Sequence, residues 1–331
     1  MSATLFTGGT IWTGTGDTHA LLVVDGRVHA TGEQACAASG DVRTVDLGGG
    51  FLMPSFGDGH AHPLYGGLEA TGPAVRPCTS VEEILAAVKE YADAHPEQEW
   101  ILGASYDGSL APEGLFDAQW LDSVVPDRPV VLRAWDYHTV WCNTSALERA
   151  GVTADTADPP LGEIPRRPDG SVLGTLREWG AVDLVMSVMP ARDEAVRIAA
   201  LDTAADYLLA RGVTWVQDAW VEPEDVTTYV AAAEADALRM RFNLALYADP
   251  RYFDSQVHGF AESRRRVQQL NSPLLSANTV KFFADGVVEN ETGALLQPYC
   301  SGLHSHGQRN WEGDSLAEAA AHVDRLGLQI H

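Results

Sequence analysis

Two histidines separated by one residue, His60 and His62, stand in the stretch Asp58-Gly59-His60-Ala61-His62. In an extended strand, residues i and i+2 project to the same side, so both imidazoles aim at one point. Neutral imidazole nitrogen is a favoured ligand of Zn²⁺, and such a pair is the start of a metal site, although H-x-H also occurs with purely structural roles. The apolar run Phe51-Leu52-Met53-Pro54 reads as a buried strand leading into the pair. Asp58 lies two residues before His60, where its carboxylate either orients a ligand histidine or stabilises a turn.

Lys281 is the next residue that could do chemistry, because Val280, Phe282 and Phe283 surround it with apolar neighbours. A lysine charge buried in a strand is costly unless paired. A salt bridge, a side chain that snorkels to solvent and a functional amine are the open readings. Asp285 follows closely, placed either to hydrogen-bond near such a site or to make the turn. His304 and His306 form a second H-x-H, but Ser301, Gly302 and Ser305 around them read as a polar loop rather than a metal site.

The elements that position these residues alternate. Leu21–Val24 and Arg27–Ala30 read as a hairpin around Asp25-Gly26, too small to hold a core alone. Ser80-x-x-Glu83 is a capping box for a helix with Ile84, Leu85, Val88 and Tyr91 on one face, ending before Pro96. A helix over 192–211, with Val196, Leu201, Leu208 and Leu209 apolar and Gly212 as its cap, leads to a strand at 213–216. Helix 224–238, strand 241–247, helix 253–270, strand 279–283, a helix capped by Ser315-x-x-Glu318 and a strand at 328–331 complete the pattern. Strand–helix alternation of this kind predicts a parallel α/β fold.

The leader ALLVVDGRVHATGE and the stretch VDLGGGFLMPSFGDGHAHP resemble the opening of the amidohydrolase superfamily. With WDYHTVWCNTSALERAGV, GTLREWGA and VKFFADGVVENETGALLQPY, the chain is similar more narrowly to its third subgroup, which includes N-substituted formamide deformylases. The resemblance implies a TIM-type (β/α)₈ barrel, here strands one to five, behind the N-terminal part of a β-sandwich over residues 1–52. The barrel then occupies 53–331, and the strand count requires an insertion at about 72–190, in which WILGASYDG and PVVLRAWDYHTVW look like strands of their own.

By the same resemblance His60, His62 and Lys281 are metal ligands for one or two Zn²⁺, with Lys281 carbamylated and bridging. Carbamylation turns a cation into an anionic ligand, and two metals can activate a water and polarise a carbonyl. His138 and Glu178 are implied at the active-site entrance touching substrate. A satisfied histidine and a Glu178 paired with Arg177 or another surface charge are the alternatives. Asn143 and Asn290 are weaker candidates, and the Trp and Tyr residues near 135–141 belong either to the core or to a substrate pocket. The family also uses histidines after strands five and six and an aspartate after strand eight. These are expected beyond the chain's last residue, with His331 either adjoining the fifth-strand ligand, the favoured reading, or itself that ligand. Ser55 and Gly293 depart from the family pattern without touching the ligands.

The implied activity is hydrolysis of an amide or formamide-type C–N bond through metal-activated hydroxide. A mononuclear deaminase-like hydrolase and a metal-free scaffold are the competing readings. Lys and Arg number 22 against 46 Asp and Glu, a formal charge of −24, the wrong sign for nucleic acid. No apolar run reaches the roughly 20 residues of a membrane span. Met1–Gly9 lacks the pattern of a signal peptide, so a cytoplasmic protein with a small-molecule substrate, and a homodimer by base rate, is expected. The four cysteines, Cys36, Cys78, Cys142 and Cys300, are scattered and expected as free thiols. The chain stops inside a strand, which suggests an incomplete copy of a longer protein.

Overall fold

The computed structural model describes residues 2–37, 41–288, 291–300 and 305–331. Asn290 and His304, both named above, lie outside them. The chain divides into two compact units: Met1–Gly57 with Gly212–Thr214, and Asp58–Arg211 with Trp215–His331.

The first unit is made of short strands. β1 (Ala3–Thr7), β2 (Thr10–Trp12), β3 (Asp17–Thr18), β4 (Leu21–Val24), β5 (Arg27–Thr31), β6 (Arg43–Asp46) and β7 (Phe51–Leu52) form two sheets, ordered β5-β4-β1-β6 and β3-β2-β7. A short helix, α1 (Gly32–Cys36), follows β5. The β4–β5 hairpin turns at Asp25 and Gly26, both with positive φ (48° and 77°), the requirement of a type I′ turn.

β8 (Phe56–Ala61) carries the chain into the second unit and ends one residue before His62. The sequence reading put a buried strand at Phe51–Pro54; the structure corrects this. Phe51 is 60% exposed and Phe56 55%, because β7 is an edge of the β3-β2-β7 sheet and β8 an edge of its own.

The chain next forms α2 (Pro63–Glu69), α3 (Val81–Ala94), β9 (Ile101–Tyr106), α4 (Ala118–Asp122), β10 (Val130–Ala134), β11 (Thr139–Cys142), α5 (Thr144–Arg149), β12 (Thr175–Arg177) and α6 (Glu178–Met186). In α3 the Ser80 hydroxyl accepts from the Glu83 amide at 3.2 Å, which satisfies one of the first-turn donors. β12-β11-β10-β9 make a separate four-stranded sheet. Alternate residues of β10 face opposite cores, as a strand's period of two dictates. Val130, Leu132 and Ala134 pack with Ile84, Val88 and Trp141, while Val131 packs with Cys142, Leu176 and Val182.

Asn143, a weaker site candidate, belongs to this scaffold. Its Oδ1 accepts from the amides of Val130 and Ala146 (both 2.9 Å), and its Nδ2 donates to Val125 O (3.0 Å) and Arg128 O (2.8 Å).

Helix α7 (Glu194–Leu209) then leads to β13 (Val213–Val221), α8 (Pro223–Glu234), β14 (Arg241–Ala248), α9 (Phe253–Gln269), β15 (Leu275–Phe282), α10 (Ser315–Arg325) and β16 (Gln329–Ile330). The sheet order β16-β15-β14-β13-β8 and the parallel pairings of β13 through β16 make an α/β architecture that fits part of a TIM-type barrel. β14 is buried along almost its whole length, as expected for a parallel strand covered on both faces. β8 and β16 are the two open edges.

Two local expectations need correction. Val196 on α7 is exposed, and the buried side is Ala200, Leu201 and Ala205. Small residues are needed there, because a Cβ on Gly67 of α2 would meet the Ala200 carbonyl oxygen at 1.9 Å. Ser315 begins α10 rather than capping it; Asp314 holds the cap position without a side-chain bond. All four cysteines are free. Among the described residues no helix is long and apolar enough to cross a membrane.

Candidate metal centre

The ends of β8, β15 and β16 bring His60, His62, Lys281 and His331 together. His60 and His62 have ring centroids 5.4 Å apart, and the His331 ring lies 5.0 Å from that of His60. His331 Nε2 stands 3.1 Å from His60 Nδ1. Of the two readings of His331, adjoining the fifth-strand ligand or being it, the contact with His60 agrees with the second. Lys281 is buried and pairs with Tyr247 in the sheet register. Its Nζ sits 4.8 Å from the Phe283 ring centroid, and it forms no salt bridge among the described residues.

Electrostatics tie these groups into one cluster. The His60 pKa is pushed down to about 4, first by lost hydration and then by the Lys281 charge. Burial, then Lys281, also holds His331 below its ordinary value. Burial lowers the Lys281 pKa. Each shift favours the uncharged base, the form in which imidazole or amine binds a metal or reacts.

A buried amide network sets the His331 ring. Asn243 Nδ2 (2.9 Å) and Thr279 Oγ1 (3.1 Å) donate to Gln217 Oε1. The Gln217 amino end therefore donates to His331 Nδ1 (2.6 Å) and to Gly59 O (3.3 Å). His331 Nδ1 accepts, its proton sits on Nε2, and that proton faces His60 Nδ1. Asp218, one residue along β13, lies 3.6 Å from His62 Nδ1, beyond hydrogen-bond range. The Tyr229 hydroxyl donates to its other oxygen at 2.6 Å, and burial raises the Asp218 pKa. Sequence reasoning missed Gln217 and Asp218. Their signal was two adjacent polar residues inside the otherwise apolar run Val216–Val221 of β13, where a buried polar group needs a partner.

Of the other expected residues, Asp58 Oδ1 accepts from the His60 amide at 3.0 Å, a local turn bond. Asp285 Oδ2 accepts from the Ala294 amide at 2.9 Å and so serves its own loop. His138 and Glu178 are buried (5% and 2% exposed) and pair with each other, Nδ1 to Oε2 at 3.0 Å. Arg177, a suggested partner of Glu178, meets Glu163 instead at 3.4 Å. His306 Nδ1 stands 3.3 Å from Leu295 O in an exposed segment.

The aromatic residues divide. Trp141 is fully buried in the core and Trp135 is half exposed, while the Tyr137 ring lies 5.6 Å from His62. Tyr137, Trp179, Trp220 and Tyr247, with Phe283 packed against them, wall the cluster. Tyr137 and Glu178 both carry positive φ (65° and 60°), a strained state that concentrates at functional sites.

The donor set suits a divalent ion. His62 Nδ1 is buried without a hydrogen-bond partner, and the His60 and His331 rings face each other through ring nitrogens 3.1 Å apart. Among the described residues, no three His, Cys, Asp or Glu side chains already form a metal-holding group.

Comparison with known proteins extends this picture. A sequence profile described as "Amidohydrolase family" matches residues 43–331. Protein LONG AFTER FAR-RED 3 of Arabidopsis thaliana is 27% identical over 98% of this chain and 58% of its own length. The N-substituted formamide deformylase of Arthrobacter pascens is 27% identical over 94% of this chain and 58% of its own length. The chain thus spans about three fifths of these relatives. A solved structure of an uncharacterized metal-dependent hydrolase from Pyrococcus horikoshii OT3 matches with a TM-score of 0.70 at 20% identity, over 99% of this chain and 64% of that one. That last likeness concerns the fold.

Proposed function

This chain belongs to the amidohydrolase family, and from that premise we propose that its protein is a metal-dependent hydrolase of an amide or formamide-type C–N bond. The observation that carries the reading is the contact of His60 Nδ1 with His331 Nε2 at 3.1 Å, with the Lys281 charge acting on both rings. The relationship to an N-substituted formamide deformylase supports the bond class.

His60, His62 and His331 would hold one or two Zn²⁺, with Lys281 as a further ligand. A divalent ion there supplies Lewis-acid polarisation of a carbonyl and lowers the pKa of a water. The chain's own residues prepare the place. Gln217 orients His331. The buried Asp218 carboxylate lies 3.6 Å from His62 Nδ1 and offsets positive charge on that side. The rings of Tyr137 and Trp220 flank His62 and cover part of it from water. Burial raises the fraction of Lys281 present as free amine. That amine can add to CO₂, forming an N–C bond and releasing one proton, to give the anionic carbamate.

The test is metal analysis and assay of the purified protein on N-substituted formamides, with amides and esters as controls. Bound zinc, formate release from formamides, and a ¹³C carbamate resonance after ¹³CO₂ labelling that vanishes in Lys281→Ala are expected. A protein that binds no divalent metal and cleaves none of these substrates ends the proposal.

A further inference from the structure

A second cavity of about 590 Å³ lies in the same unit, within the size range of small-molecule sites. None of His60, His62, Lys281 or His331 lines it. Arg133, on β10, does. One of its amino groups donates to Tyr137 O at 3.0 Å and the other meets Met186 Sδ at 3.2 Å. The guanidinium carbon lies 5.8 Å from the Tyr137 ring centroid and 5.7 Å from that of Trp220. No carboxylate among the described residues pairs with it. The acids whose charge reaches it are engaged elsewhere: Asp183 pairs with Arg251 at 2.8 Å, and Asp136 accepts from the His138 amide at 2.7 Å.

A second arginine repeats the pattern. Arg192 lines the same cavity, donates to Thr71 Oγ1 at 2.7 Å, and also lacks a carboxylate partner among the described residues. Burial works against the charge of both arginines. The chain has 46 acidic residues against 22 basic ones, so acids were plentiful; leaving two cations in one cavity unmatched is selective. Guanidinium presents a planar fork of donors that suits a carboxylate. Leu68, Val140 and Met189 supply apolar wall beside it. Glu69, which pairs with Arg76 at 2.7 Å and accepts from the Ser105 and Tyr137 hydroxyls, and the exposed Glu194 and Glu224 also line the cavity and oppose any second negative charge.

We propose that this cavity is a binding site for an apolar monocarboxylate, its carboxylate on Arg133 with Arg192 as the supporting cation and its body against the methionine side. The site is distinct from the imidazole cluster and needs no metal.

The test is calorimetric titration of the purified, chelator-treated protein with hexanoate, and with hexanamide as the uncharged isostere. Hexanoate is expected to bind saturably, and hexanamide about tenfold or more weaker. Arg133→Gln should weaken hexanoate by about tenfold or more and Arg192→Gln by less. Ala191→Trp, at an exposed lining position, should block the cavity. Absence of saturable binding, equal binding of the amide, or binding seen only when metal is restored overturns the proposal. If circular dichroism shows Arg133→Gln to be unfolded, the other two variants decide. Unchanged hexanoate affinity in both overturns it equally.

Discussion

Gln217 donates its side-chain amide to His331 Nδ1 at 2.6 Å, and the donors fixed on its other end, Asn243 and Thr279, give that bond its direction. Residues that orient a ligand histidine typically govern metal affinity by about 10–100-fold. Gln217→Ala is therefore expected to weaken zinc binding by roughly that factor, and also to destabilise the fold by about 1–3 kcal/mol through the unpaired Asn243 and Thr279 donors, so affinity is read on the folded fraction. Competitive titration against a zinc-chelating dye reads it, and an unchanged affinity would show that the amide only packs.

The depressed imidazoles predict a pH dependence with a definite sign. His60 titrates at about 4 in the folded chain against 6.5 when unfolded. Between these values the unfolded state binds more protons, so stability rises with pH. For the metal-free protein, stability should be fully present above pH 6.5 and decline as pH falls towards 4. His331 acts in the same direction. Urea denaturation on both sides of this window measures the slope, and His60→Asn should flatten it. An identical slope in that variant would assign the effect to other groups.

Asn143→Ala should destabilise the fold by about 2–4 kcal/mol, because it strips the bonds of a fully buried side chain and leaves backbone groups unpaired. Zinc content, measured on the folded fraction, should not change. Lost metal with unaltered stability would move Asn143 back to the site.

Tyr229→Phe removes the 2.6 Å bond to buried Asp218 and should cost about 1.5–3 kcal/mol, the scale of a hydrogen bond to a charged group. Denaturant titration tests this. A neutral effect would mean that Asp218 is protonated in the native state.

Trp141→Ala, at a side chain with no exposed surface, should cost about 3–5 kcal/mol. Thermal melts read this change, and a small shift would show that the sheet β9–β12 collapses around the gap.

Local chemistry was the legible part. Asp25-Gly26 announces its hairpin, Ser80 and Glu83 announce the start of α3, and the i, i+2 spacing of His60 and His62 survives into the fold. What the linear chain hides is partnership across distance. Gln217 and His331 are 114 residues apart, and His138 and Glu178 40 apart, so no local pattern announces either pair. Edge position is equally invisible: Phe51 reads as core because the run Phe51–Pro54 has the composition of a core strand. Asp285 illustrates a third limit, since a carboxylate beside a site and one that closes its own loop have the same one-letter code.

Trp220 stands between the two regions of interest, 6.3 Å from the His62 ring and 5.7 Å from Arg133. Its indole is thus an internal fluorophore with a quencher on each flank. The chain has nine tryptophans, so the part of the emission change lost in Trp220→Phe is the part that reports imidazole protonation or metal loading on one side and an anion on the guanidinium on the other.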